Sequence, residues 1–144
     1  MSQSQLSEKQ LLGLNMMQEF FGEELFAALR AKARDDLPNK IGAEYLAEVC
    51  FSSYARPGLS FRDRTIMNLG MLVALNRAPE LKIHIRAALK NELSEEQICE
   101  ALRHAMVYCG VPAGRDALMV AGEVFEEVKE MQMQMQKAGG AKLS

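Results

Sequence analysis

Apolar residues in this chain recur every three or four positions almost from end to end, and no stretch alternates them in twos between turn residues. A half-buried strand needs period-two alternation, whereas spacings of three and four build the buried stripe of a helix. The fold class expected is therefore all-α, a compact helical bundle of about six or seven helices. Prolines are few (Pro38, Pro57, Pro79, Pro112) and fall between the helical stretches rather than inside them. The 144 residues are one domain's worth of chain, with 49% apolar and 25% charged residues, so a core can form without disulfide or metal. A single domain is expected over residues 1–136, followed by a flexible tail over 137–144.

Local signals place the helices. Ser7 and Gln10 form a capping box ahead of Leu11, Leu14, Met17, Phe21, Leu25 and Leu29, with Gly22 as a break. The spacing predicts a helix from about Lys40 to Ser53 that buries Ile41, Tyr45, Leu46, Val49 and Cys50. Ser60 and Asp63 open the next helix, whose stretch from Ile66 to Leu75 is apolar on all sides except at Asn68. Such a helix belongs in a bundle core or an oligomer interface. Pro79 then starts a helix to Asn91, and the Ser94–Gln97 capping box starts another to Cys109. Pro112 opens a last helix that buries Ala117, Leu118, Ala121, Val124, Phe125 and Val128, fraying from Met131.

Charge and cysteine usage narrow the function classes. Lys and Arg number 17 against 19 Asp and Glu, so the basic excess of a nucleic-acid binder is missing. No apolar run approaches membrane-spanning length, and the polar start lacks the pattern of a secretory signal. A cytoplasmic protein that binds neither nucleic acid nor membrane is expected. Three cysteines without a CxxC pair argue against a disulfide framework or a zinc site, and two histidines are too few for a multi-His metal centre.

Two segments carry a resemblance. One runs from Arg56-Pro57-Gly58-Leu59 through Arg64-Thr65 to Ala74-Leu75-Asn76-Arg77. The other runs from Glu80 to Asn91 and on through Glu100-Ala101-Leu102 to Tyr108-Cys109-Gly110-Val111-Pro112-Ala113. In this order and spacing they resemble the carboxymuconolactone decarboxylase family, over residues 56–128. The resemblance implies a fold like that of alkylhydroperoxidase D, assembled into a ring as a homotrimer or homohexamer. It implies one of two activities. One is removal of carbon dioxide from an unsaturated lactone acid in aromatic catabolism, without a cofactor. The other is thiol-dependent peroxide reduction, which uses a Glu, a CxxC pair and a His. Laid on this chain, the peroxidase pattern keeps only its His, at His84. Its cysteines fall on Arg77 and Glu80, and its Glu on Thr65. The decarboxylase pattern keeps Arg64, Glu80, His84, Arg86, Tyr108, Cys109 and Pro112. It departs over Glu48–Tyr54, where the decarboxylases carry His and Trp and only the final aromatic is retained in kind.

The chemistry then assigns roles. Decarboxylation without a cofactor needs an electron sink in the substrate, a stabilised oxyanion and a proton returned to carbon. Under the resemblance, His84 is the proton donor, Arg64 anchors a carboxylate or the oxyanion through its fork, and Glu80 orients His84 from one turn away. Arg86, Tyr54, Met67, Met71 and Cys109 are assigned to substrate binding, and no metal or cofactor is called for. Structural readings stand beside these: Arg64 as an ion-pair residue, Glu80 as half of a surface pair, Cys109 as a small buried hydrophobe. Two other functions remain open, a peroxidase acting through Cys109 and a binding protein without activity on the same scaffold.

Overall fold

The computed structural model describes residues 6–140. Among these the fold is all-α. Seven α-helices follow one another: α1 (Glu8–Phe21), α2 (Glu23–Ala31), α3 (Leu37–Tyr45), α4 (Phe61–Ala74), α5 (Ala78–Lys90), α6 (Glu95–Cys109) and α7 (Val111–Gly140). A π-helix over Leu46–Phe51 and a 3₁₀ turn over Ser52–Ala55 join α3 to the loop before α4. The chain divides into two compact units at Arg64/Thr65, within the first turns of α4.

The caps form where the sequence predicts them. Ser7 Oγ accepts from Gln10 N at 3.1 Å and Gln10 Oε1 accepts from Ser7 N at 2.8 Å. Ser94 and Gln97 repeat the box at α6. Ser60 Oγ accepts from Asp63 N at 3.1 Å, while the Asp63 carboxylate accepts from the Ser60 hydroxyl at 2.6 Å. Each box satisfies N–H groups that have no partner within the first turn. Gly22 and Gly110, at φ 80° and 86°, separate α1 from α2 and α6 from α7. That backbone region is closed to side chains, so both helices stop there.

In the first unit the core is aromatic. Phe20 is fully buried and packs against Phe21, Phe51, Tyr54 and Phe61 with ring centroids 5.0 to 6.0 Å apart. Gly13 lets α1 approach the π-helix; a Cβ there would stand 1.8 Å from the Ala47 carbonyl oxygen. Two expectations are corrected here. Asp36 caps a helix that begins at Leu37, with Pro38 in its first turn, rather than at Lys40. Ile41, Tyr45, Leu46 and Val49 are exposed, and Ala47 and Phe51 are buried in their place. From Leu46 on, the π-turn inserts a residue relative to α-helical spacing, so a stripe drawn at that spacing misses Ala47 and Phe51; α3 before it buries no residue.

The second unit has an aliphatic core. Leu69 and Val73 of α4, Leu81, Ile85 and Ala88 of α5, Ile98, Leu102 and Ala105 of α6, and Ala117, Ala121, Val124 and Phe125 of α7 form one cluster. The predicted stripes of α6 and α7 supply most of it. Lys82 and Arg86 on α5 both pair with Glu127 on α7, the first at 2.6 Å. Helix α7 continues through residues assigned to the tail as far as Gly140, with Met131, Met133 and Met135 exposed; residues 141–144 lie outside the described residues. Helix α4 buries Thr65, Leu69 and Val73 but leaves Ile66, Met67 and Met71 exposed, as is Leu75 just beyond its end. No helix among the described residues is long and apolar enough to cross a membrane.

Candidate functional site

In the first unit Arg64 stands in the first turn of α4, placed there by the Ser60–Asp63 cap. Its guanidinium carbon lies 5.3 Å from the centre of the Tyr54 ring, and Nη2 donates to the Arg56 carbonyl at 2.9 Å. Tyr54 is stacked on Phe51 at 4.7 Å. Cation–π contact holds the charge against the ring face and leaves the N–H edge for acceptors. The Nε–H of Arg64 is buried and has no hydrogen-bond partner. A buried charged donor without an acceptor is costly, and an oxyanion is the natural acceptor for it. Arg64 makes no ion pair with Asp63, whose carboxylate is held by Ser60 below the usual carboxylate range.

In the second unit Glu80 and His84 lie one turn apart on α5, as their spacing predicts. Burial pushes the His84 imidazole below its ordinary value of about 6.5, and the negative charge of Glu80 opposes this only in part. The ring is therefore neutral near pH 7, not poised for titration there as its type alone suggests. Glu80 is half of a forked ion pair with Arg77, at 2.5 and 3.1 Å. That hydrogen-bonded pair holds its carboxyl below the usual range and keeps it ionised. Sequence reasoning missed a third residue: the Nδ2 amide of Asn68 on α4 faces His84 Nδ1 at 3.5 Å. The signal was available, because Asn68 is the one polar side chain in the apolar run of α4.

The remaining assigned residues are placed as follows. Arg86 lies two residues from His84, on another face of α5, and spends its guanidinium on Glu127. Met67 and Met71 are about half exposed on α4. Cys109 ends α6 and packs partly buried against the aliphatic core. Cys99 lies ten residues earlier on the same helix, about 15 Å away, so these two thiols cannot form a pair. Burial and the charge of Glu95 push the Cys99 thiol above its ordinary value. Glu100 pairs with Arg103 at 3.0 Å, while His104 rests against Tyr108. A crevice of about 40 Å³ opens between α4, α5 and α7, lined by Leu72, Asn76, Arg77, Ala113 and Asp116 among others, and His84 is not part of it. No three His, Cys, Asp or Glu side chains among the described residues gather as a metal-holding group.

The chain is 31% identical over 119 residues to a 4-carboxymuconolactone decarboxylase from Acinetobacter baylyi, covering 81% of this chain and 86% of the relative. It is 33% identical over 88 residues to the nitrosuccinic acid decarboxylase npaB of Metarhizium robertsii, covering 60% of this chain and 62% of that protein's length. An uncharacterised 15.0 kDa protein of Paracoccus denitrificans is 26% identical over 101 residues. The family model for carboxymuconolactone decarboxylases matches residues 42–123, which take in the π-helix, Arg64, Asn68 and His84. The chain belongs to the carboxymuconolactone decarboxylase family.

Proposed function

We propose that this protein is a cofactor-independent decarboxylase of small carboxylic acids that carry their own electron acceptor. The two named relatives act on a lactone acid and a nitro acid. Both substrates offer an oxygen-bearing group, a lactone carbonyl or a nitro group, that can hold the electron pair left by carbon dioxide. Arg64 is assigned to an anionic oxygen of the substrate. His84, neutral at rest, donates its ring N–H to the oxygen on which negative charge gathers. Release of carbon dioxide from a carboxylate consumes one proton, which the product carbon takes from solvent. Glu80 acts on His84 through its charge, and the substrate itself supplies the sink that a cofactor would otherwise provide. The assembly is a homotrimer or homohexamer.

The observation that carries this reading is the buried, unpartnered Nε–H of Arg64 over Tyr54. Purified protein is incubated with 4-carboxymuconolactone and, separately, with nitrosuccinate, and carbon dioxide and ultraviolet absorbance are followed. Release from either substrate, abolished in Arg64→Ala, is the expected result. No release from either overturns the assignment.

A binding role without turnover is the second reading. Tyr54, stacked on Phe51, lies against the Arg64 guanidinium, and this favours it. Calorimetric binding of the same two acids without carbon dioxide release is its signature.

A further inference from the structure

We propose that Asn68 is the positioning residue that fixes which nitrogen of His84 carries the proton: its amide donates to Nδ1 and so keeps the hydrogen on Nε2. The inference rests on the reading of His84 as the hydrogen-bond donor of the reaction.

An amide in this place carries a cost. Asn is a poor helix former, and from Ile66 to Leu75 every other side chain of α4 is apolar or absent. A half-buried amide in such a run needs polar partners. The Nδ2 atom lies 3.5 Å from His84 Nδ1. An amide nitrogen only donates, so Nδ1 must accept and cannot itself bear hydrogen. A neutral imidazole has one N–H, which then sits on Nε2. Burial already favours the neutral ring, and the amide selects one of its two tautomers. A contact of 3.5 Å is long for a hydrogen bond, and donation from Nε2–H to a gathering negative charge raises the electron density on Nδ1, making it a better acceptor and tightening the contact. Glu80, on the same helix as His84, is occupied by Arg77, so it is not the group that sets the tautomer. The N–H on Nε2 is thereby oriented before substrate arrives, the preorganisation that oxyanion stabilisation requires.

The protein has only two histidines, so the test is direct. His104→Gln removes the second imidazole, which lies exposed on α6, and long-range proton–nitrogen NMR of the ¹⁵N-labelled protein then reports His84 alone. The expected spectrum shows a bare Nδ1 and a protonated Nε2. A protonated Nδ1 in this otherwise native protein overturns the proposal without recourse to any further variant. Asn68→Asp replaces the donor with an acceptor and is expected to move the hydrogen to Nδ1, with turnover of 4-carboxymuconolactone falling about a hundredfold in kcat and little in KM. Asn68→Ala is expected to give a mixture of tautomers and a smaller loss, about tenfold. A tautomer unchanged in both variants overturns the proposal. A tautomer that shifts while turnover does not leaves Asn68 as the residue that orients the ring and removes His84 from the reaction, so the two failures are told apart.

Discussion

Acidification charges the unfolded chain's His84 before the folded one, because burial holds the folded ring below its ordinary value of about 6.5. The stability gained by keeping that ring neutral is full above about 6.5 and is lost as the pH falls through the folded value. The melting temperature of the wild type should therefore drop more steeply below about pH 6.5 than that of His84→Gln; equal slopes would show that the ring is not held neutral. Glu80 and Glu127 are lowered by their ion pairs and lose their contributions only in more acid solution, in both proteins alike. Arg64→Lys keeps the charge but loses the fork. It should raise KM for a carboxylate substrate about tenfold with a smaller change in kcat. At this scale the sequence named His84, Glu80, Arg64 and Tyr54, residues whose chemistry shows in their type. Asn68 escaped because its role depends on a ring sixteen positions away, which spacing along one helix cannot show.

Among the elements, α5 and α7 are pinned through one carboxylate that receives both Lys82 and Arg86. Arg86 is only 25% exposed, so Glu127→Gln removes more than a surface pair while still leaving solvent to screen the loss. A destabilisation of about 1 kcal/mol is expected in denaturant titration, shrinking at high salt. Gly13→Ala is the sharper test of the first unit, because the new methyl meets backbone rather than a side chain able to move. It should cost about 2–3 kcal/mol. Helix ends were legible in the sequence because caps are local: Ser7, Ser60, Ser94, Gly22 and Gly110 each act within one turn. The π-helix was not legible. Its width is set by packing between α1 and Ala47 and by the stacked rings of Phe51 and Tyr54, and a run such as Leu46–Phe51 reads equally well at α-helical spacing.

For the whole molecule, the apolar residues left uncovered bear on assembly. Val107, Tyr108 and Val111 are 74%, 81% and 65% exposed around the α6–α7 turn, and Met67, Met71 and Leu75 line the outer face of α4. Patches of this kind mark contact surfaces in proteins that work as assemblies. Light scattering should find a trimer or hexamer for the wild type and a smaller species for Tyr108→Glu combined with Val111→Asp; a wild type that is monomeric at every concentration defeats the expectation. The extra residue in the turn at Leu46–Phe51 has a consequence for how such a chain can change its substrate. Deleting one position there would let the segment wind normally and swing everything after it by about 100° relative to what precedes. Tyr54 and Arg64 both follow the turn and would rotate together, carrying the guanidinium and its ring away from Phe20, so a single-codon loss would alter ligand preference more abruptly than any exchange of side chains.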